Sequence, residues 1–566
     1  MKLFPFLKNS LLCMLMLLGL TSATPLATSS SLQKQILYFM QQGNTRESLT
    51  LYQKFYEQTG VHHFELLEQL GLILLDQGSR IKDPEIQLMT MFGAGIAGND
   101  KTLYLLEEGL KSPYPQLQLV CLNLVASSYD DKADDSLLNA MLSSELLVRF
   151  EAAFHLAKKK HPQALAHIES LMIKLPDEVH ALFPQLLALV GTNEAFMILR
   201  KMMSSPNRDT RLAVIHSIAQ TGRDDFLPQI RILASHHDIR QQETCAKALG
   251  LFKDETAIPL LERLAQSTNL TVALAALQAL YNMGDQAAGL KIISIAKRHE
   301  LFATALLGEL KGTETVLKEL ISNSPHPLIK LNASLALLEK KDRQCIPILA
   351  DILIHDSRDL AFVKTHSPGQ ALSYWKIIPS AQHNLAENPV VYELSVSMRE
   401  EVLAKTLELP EEDFLKIASL IFELEQNDLV PSLVELLENL QTPGAIDLLK
   451  KYQQKTGAPL IRNYCNLALY RLKIPGSYAE NLKKWISEQQ GQELIRFRPF
   501  VPWEARTGLA SYHLTPHETS RLLIESFESL ARSQNNEGIQ VLLEAIKNGN
   551  QTNKYALAGL LLRSIQ

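Results

Sequence analysis

Hydrophobic residues along this chain recur three and four positions apart, in short segments that polar turns separate. The segments VRFEAAFHLA (148–157) and TVALAALQAL (271–280) show this pattern. Such spacing places apolar side chains on one face of an α-helix. Leu and Ala are abundant, whereas runs of Val, Ile and Thr that are typical of strands are scarce. The pattern therefore predicts an all-α protein.

The predicted helices repeat at a nearly constant distance along the chain. One apolar position in each unit serves as an anchor, and four of the seven steps between successive anchors are 31 residues. The anchors are Leu124, Leu156, Leu187, Ile218, Leu249, Leu280, Leu307 and Leu337. A fixed period in this range indicates a repeat architecture.

A second helix is predicted after each anchor. Ten residues after three of the anchors stands a proline: Pro228, Pro259 and Pro347. Proline is tolerated in the first turn of a helix, where its missing N–H breaks no intrahelical hydrogen bond. Polar breaks such as GRDD (222–225) and KDET (253–256) have the composition of turns and N-caps. Each unit is therefore helix, tight turn, helix, over about 31 residues.

Residues 115–355 resemble the HEAT-repeat family, in particular the short repeats of bilin-lyase-like proteins. The resemblance implies an α-solenoid of stacked helix-turn-helix (HEAT-like, armadillo-type) repeats. Stacking has a physical reason, because one helix pair cannot bury its apolar face and adjoining pairs bury each other's. The segment PLIKLNASLALL (327–338) is echoed by PLIRNYCNLALY (459–470), with six of twelve positions identical. The array is therefore expected to resume towards the C-terminus.

Three further segments complete the predicted organisation. Residues 24–114 are expected to form an N-terminal helical cap, and 411–566 to form C-terminal helical repeats. Between the array and the C-terminal repeats, residues 356–410 break the rhythm, with three prolines in 365–394. This stretch is interpreted as an irregular insertion or a degenerate repeat. A binding insertion is the alternative, with Tyr374 and Trp375 as candidate binding residues.

A second irregular stretch is IRFRPFVPWEA (495–505). Its candidate binding residues are Arg496, Arg498, Phe500 and Trp503, since Arg and aromatic residues are enriched at interaction hot spots. The alternative is that the aromatic side chains fill a gap between repeats.

The N-terminus has the pattern of a secretory signal peptide over residues 1–23. Lys2 and Lys8 precede the apolar run 11–20, and the small residues TSA (21–23) follow it. Cleavage after Ala23 would export the protein to a bacterial periplasm or secrete it. An uncleaved anchor is the alternative. No later stretch reaches 18 apolar residues, so no stable membrane span is expected in the mature chain.

Charge, cysteines and motifs narrow the candidate chemistry. A net charge of −5 argues against a nucleic-acid-binding protein. Four cysteines remain after the predicted cleavage, widely spaced within apolar helical patterns: Cys121, Cys245, Cys345 and Cys465. Buried free thiols are expected rather than a disulfide framework. Neither CxxC nor HExxH occurs, and no catalytic residue, metal site or cofactor is predicted.

These observations favour an exported, non-enzymatic scaffold that binds another protein through a curved helical-repeat surface. The resemblance implies an alternative, a bilin-lyase-like or other cofactor-handling enzyme. A scaffold subunit of a secreted enzyme complex is a third possibility. Fold alone does not decide between these classes.

Overall fold

Described residues and their helices

The computed structural model describes residues 24–128, 133–354, 360–365, 372–379, 398–455, 457–492, 518–532 and 536–566. The predicted signal peptide (1–23) lies outside these residues, as do Arg496, Arg498, Phe500 and Trp503. Within the described ranges, no helix combines the length and apolarity that crossing a bilayer requires.

The described chain is helical except for one pair of short strands, and the predicted all-α class is confirmed. In its first part the helices are α1 (Thr24–Gln41), α2 (Thr45–Thr59), α3 (Phe64–Arg80), α4 (Pro84–Ala97), α5 (Asp100–Gly109), α6 (Pro115–Ser128), α7 (Ala133–Ala140), α8 (Leu146–Lys158), α9 (Ala164–Lys174), α10 (Phe183–Val190), α11 (Asn193–Met202), α12 (Arg208–Thr221), α13 (Leu227–Ala234) and α14 (Ile239–Leu251). They continue as α15 (Ile258–Leu264), α16 (Leu270–Asn282), α17 (Gln286–Ala296), α18 (Leu301–Leu306), α19 (Glu314–Asn323), α20 (Pro327–Glu339), α21 (Ile346–Ile354), α22 (Glu411–Glu423), α23 (Val430–Leu440), α24 (Pro443–Gln453), α25 (Pro459–Arg471), α26 (Tyr478–Glu488), α27 (Glu518–Arg532), α28 (Asn536–Asn548) and α29 (Asn553–Ser564). Helical residues 398–405 precede α22.

The chain divides into two compact units. The described residues of the terminal unit lie within 24–148, 476–492 and 518–566, and those of the central unit lie within 149–475.

The central unit

The central unit contains the predicted repeats as alternating first and second helices. Consecutive first helices pack side by side, and we call α12, α14, α16, α18 and α20 the first-helix layer. The second helices α13, α15, α17 and α19 each contact the first helix that follows. The predicted anchors within this unit are all buried: Leu156, Leu187, Ile218, Leu249, Leu280, Leu307 and Leu337. The sequence period therefore marks the residues that form the shared core, and the predicted solenoid is confirmed.

The turn inside each repeat also follows the period. Left-handed residues stand 31 positions apart after successive first helices, at Lys160, Gly191, Gly222, Lys253 and Gly284. A residue of this conformation ends a helix, because its backbone N–H can return to a carbonyl of the last turn. The second helices α13 and α15 then carry proline in their first turn, as the sequence predicts.

One interval of this unit contains strands that the sequence analysis did not predict. Strand β1 (Leu360–Thr365) pairs antiparallel with β2 (Tyr374–Pro379), with Thr365 opposite Tyr374. The segment YWKIIP that forms β2 carries the aromatic and β-branched residues that favour strands, and this was the signal available beforehand.

The terminal unit

The terminal unit draws its helices from both ends of the chain. Helix α29 packs against α3 and α4, and α28 packs against α2. The contact surface is apolar, and Leu70, Leu74, Leu557 and Leu561 are all buried. Apolar burial is the main favourable term in such packing, at about 25 cal/mol per Å². The N-terminal helices and the last helices therefore share one core.

Candidate protein-binding surface

An extended segment of the chain lies on the first-helix layer. Strand β2 contacts α18 and α20, and Leu372, two residues before it, is buried. The segment 372–375 is held mainly through its backbone, by side chains of two first helices.

Asn332 of α20 forms two hydrogen bonds with the backbone of Trp375. Its Nδ2 donates to the Trp375 carbonyl at 3.0 Å, and the Trp375 N–H donates to Oδ1 at 3.0 Å. Asn332 is buried, and its Nδ2 also donates to the Leu328 carbonyl at 2.8 Å. A buried carboxamide costs free energy unless it is hydrogen-bonded, so these bonds fix its orientation. The Asn332 side-chain amide thereby hydrogen-bonds to the Trp375 backbone in the way that the backbone of a neighbouring strand would.

Glu243 of α14 holds the start of the same segment. Its Oε1 accepts the Leu372 N–H at 3.1 Å, and the side chain of Glu243 is buried. A charge-assisted hydrogen bond from a backbone N–H is stronger than a neutral one. Both ends of the segment 372–375 are therefore fixed to the helices.

The two candidate residues of this stretch, Tyr374 and Trp375, lie within this surface. The Tyr374 ring packs edge-on against Phe302 of α18, with ring centroids 4.8 Å apart. Both candidate side chains are half-buried. Their contacts with the scaffold account for their position, and their role as partner contacts stays a prediction.

Sequence reasoning missed Asn332 and Glu243. Asn332 interrupts the apolar segment PLIKLNASLALL, and a polar residue at an otherwise buried helical position was the available signal. What it binds could not be read from the sequence, because Trp375 is 43 residues away.

A row of polar side chains runs along the same layer at the repeat period. Lys247 Nζ donates to Gln278 Oε1 at 2.8 Å, and Gln278 Nε2 donates in turn to Glu309 Oε2. Each partner is 31 residues from the next. Arg211 similarly donates to Gln241 at 2.8 Å. These bonds link adjacent repeats, and exposed Glu309 places a carboxylate on the surface of the layer.

The four cysteines do not provide a reactive group. Each is unbonded and buried, as predicted. Burial raises the pKa of the Cys345 thiol to about 12, and it raises the pKa values of Cys121, Cys245 and Cys465 as well. Since the thiolate is the nucleophile, none is poised for covalent attachment chemistry at neutral pH. Across the ranges that the structure describes, no group of three or more His, Cys, Asp or Glu is placed to hold a metal ion.

Comparison with known proteins supports the repeat class. The family profile described as HEAT repeats matches residues 228–298, which span α13 to α17. No curated protein matches the chain significantly.

Three solved structures illustrate the likeness. The complex of CpcE and CpcF of phycocyanin lyase from Nostoc sp. PCC7120 is 22% identical, over 38% of this chain and 92% of that one, with a TM-score of 0.27. UNC-45 from Drosophila melanogaster is 14% identical, over 94% of this chain and 82% of that one, with a TM-score of 0.32. Kap121p is 13% identical, over 94% of this chain and 62% of that one, with a TM-score of 0.32. At these scores none of the three supports a conclusion about partner or activity.

Proposed function

This chain is an α-solenoid that carries HEAT repeats, and from that premise we propose that it is an exported, non-enzymatic scaffold for a protein partner. The partner binds where strand β2 crosses the first-helix layer. One observation carries the proposal: Trp375 is fixed there by its backbone, while its side chain is only half-buried.

Fixing the backbone of an aromatic residue in advance favours binding, because this protein then loses less conformational entropy on association. Trp and Tyr are also the residue types in which binding energy concentrates. The Tyr374 ring packs edge-on against Phe302, so these two aromatic side chains form a rigid apolar body. Elsewhere on the first-helix layer, the polar row ending at Glu309 supplies hydrogen-bonding groups of the kind that border protein interfaces.

Export rests on the N-terminal sequence. Two lysines, an apolar run and small residues precede Thr24 in the order of a cleavable signal. Expression of the full chain followed by mass determination of the mature N-terminus tests it. A mature protein that begins at Thr24 supports export, and retention of residues 1–23 contradicts cleavage.

Partner capture tests the binding proposal. The full chain is used as bait in the exporting cell, together with the variants Trp375→Ala and Asn332→Ala. Each variant is expected to lower capture of the partner by about tenfold or more, as for a hot-spot residue and its support. Asn323→Ala is the matched control, since Asn323 is exposed at the end of a second helix. It is expected to capture the partner as the unmodified chain does.

A further bait with 495–505 scrambled tests the four candidate residues there. Reduced capture by this bait would add that segment to the binding surface. The scaffold proposal fails if the Trp375 and Asn332 variants capture every partner normally. It also fails if the purified protein alone turns over a chromophore or a peptide.

A further inference from the structure

The terminal unit contains a cavity of about 610 Å³ between the beginning of α2 and the end of α28. Three cations line it, namely Arg46, Lys547 and Lys554, and none of its lining residues is a carboxylate. We propose that this cavity binds the phosphate group of a small, polar phosphate ester.

The positive charge around the cavity is only partly compensated by the protein. In the part of the chain that the structure describes, neither Arg46 nor Lys554 forms an ion pair. Lys547 lies 4.0 Å from Glu544 on its own helix and donates to Gln53 Oε1 at 3.4 Å. Lys554 is half-buried, and burial lowers its pKa. An anion in the cavity would compensate the positive charge of these groups and favour the protonated form of Lys554.

Neutral hydrogen-bonding groups accompany the cations. Asn548 and Gln551 line the cavity, and Asn548 Nδ2 also donates to the carboxylate of Glu544 on its own helix. Thr45 lines it as well. Its side chain is more than nine-tenths buried, and its Oγ1 has no hydrogen-bond partner among the described residues. A multiply charged oxyanion has acceptor oxygens for several such donors.

The beginning of α2 adds to this arrangement. Its N-cap residue, Asn44, makes no side-chain capping hydrogen bond, so first-turn N–H groups are not satisfied by that side chain. Backbone N–H groups at the start of a helix favour anions. Thr45 and Arg46 belong to this first turn, whereas Lys547 of α28 and Lys554 of α29 favour the same ligand independently of it.

The size and polarity of the cavity narrow the ligand class. Its volume lies within the range of small-molecule sites, about 300–1,000 Å³, and exceeds what a single phosphate group fills. Ile546 is the one large apolar residue in the lining. The group that carries the phosphate is therefore polar, such as a sugar or glycerol unit. The same chemistry occurs in a free phosphate ester and in a phospholipid headgroup.

Calorimetry with the full-length protein tests the site, with glycerol 3-phosphate and phosphatidylglycerol vesicles as separate probes and sulfate as the comparison anion. Saturable binding of glycerol 3-phosphate that exceeds sulfate binding supports a free ester. Binding to vesicles alone, with the same dependence on the lining cations, identifies the headgroup as the source.

The variants Lys554→Gln and Arg46→Gln are each expected to weaken binding by about tenfold or more, since a charge-assisted hydrogen bond is lost. Lys54→Gln is the matched control, because Lys54 is exposed on α2 and does not line the cavity. Ligand should also raise the melting temperature of the unmodified protein, and this rise should be smaller in the two lining variants at the same ligand concentration.

Two results would overturn the proposal. One is the absence of saturable binding to either phosphate probe. The other is an equal loss of affinity in the Lys54 variant, which would show that only the general charge of the surface matters.

Discussion

Gly93 of α4 and Gly559 of α29 meet backbone to backbone, although they lie at opposite ends of the sequence. A Cβ atom at Gly559 would overlap the carbonyl oxygen of Gly93 and lie 2.7 Å from its Cα. A Cβ atom at Gly93 would likewise overlap the Tyr555 carbonyl oxygen. Neither obstacle is a flexible side chain that could turn away. Two glycines therefore allow the close crossing that joins the ends of the chain in the terminal unit.

The variant Gly559→Ala is expected to destabilise the terminal unit by about 1–3 kcal/mol or more, because the added methyl group forces the two helices apart. Replacing a helical glycine by alanine offsets part of this loss, by about 1 kcal/mol. Urea unfolding followed by circular dichroism measures the change.

Gly491→Ala is the matched control for this prediction. Gly491 belongs to the same unit, and a Cβ atom there would meet nothing within 4 Å. Its substitution should change the free energy of unfolding by less than about 0.5 kcal/mol. Equal stability of the two variants would contradict the close-crossing interpretation.

Arg399 supports the central unit where the repeats resume. It is buried, and its guanidinium donates to Asp428, to the Leu353 carbonyl and, at 3.0 Å, to Gln426. Replacing it by Met leaves the carboxylate of Asp428 without this partner in a largely buried place. We expect a loss of about 3–5 kcal/mol in the free energy of unfolding.

The double variant Arg399→Met/Asp428→Asn tests the cause of that loss. Removing the charge of Asp428 should recover part of the stability, because the largely buried charge that has lost its Arg399 partner is then gone. Chemical denaturation of the single and double variants gives the coupling. No recovery in the double variant would mean that lost packing, rather than charge, explains the effect.

The repeat architecture was predictable because burial leaves a periodic record in the sequence. The anchors Ile218, Leu249 and Leu280 are buried at the predicted interval, and Pro228 and Pro259 stand in the first turns of second helices. The packing of α29 on α4 leaves no such record, since periodicity shows which face of a helix is covered but not which distant helix covers it.

The candidate surface was predictable only in part, and for a similar reason. Tyr374 and Trp375 could be proposed from residue type, because aromatic residues in an irregular stretch favour binding. The hydrogen bonds from Asn332 and Glu243 depend on where the chain returns after the array. A single polar residue in an apolar helix indicates a buried partner without identifying it.

The thiols provide a prediction that also bears on export. Cys121, Cys245, Cys345 and Cys465 should react slowly with a maleimide in the native protein, because each is buried and its thiol pKa is raised. In denaturant all four should react rapidly, and mass spectrometry counts the adducts. Fewer than four adducts in protein recovered after export would contradict the unbonded state, whereas rapid native labelling would contradict burial.

His62 links α28 to the N-terminal helices through a neutral imidazole ring. Its Nε2 donates to the Asn536 carbonyl at 3.1 Å, and its Nδ1 accepts the Tyr52 hydroxyl at 3.1 Å. The Tyr56 ring stacks on the imidazole ring, with ring centroids 4.3 Å apart. A second proton would place an N–H against the Tyr52 oxygen, which already accepts the His63 N–H at 3.3 Å. Burial accordingly lowers the pKa of His62, and the Asn536 carbonyl opposes this shift without cancelling it.

This lowered pKa predicts that the terminal unit loses stability on acidification. The unfolded chain takes up a proton near the ordinary histidine value, about 6.5, whereas the folded chain resists it until a lower pH. The stabilisation is therefore complete above about pH 6.5 and decreases as the pH falls from there towards the folded-state pKa.

Hydrogen exchange of the α2 amides at about pH 5 and about pH 8, corrected for intrinsic rates, measures the local opening free energy. In His62→Gln this free energy should depend less on pH, because the substituted side chain does not titrate. His236→Gln, at an exposed histidine, should retain the full dependence, and an unchanged dependence in the His62 variant would show that other groups cause it.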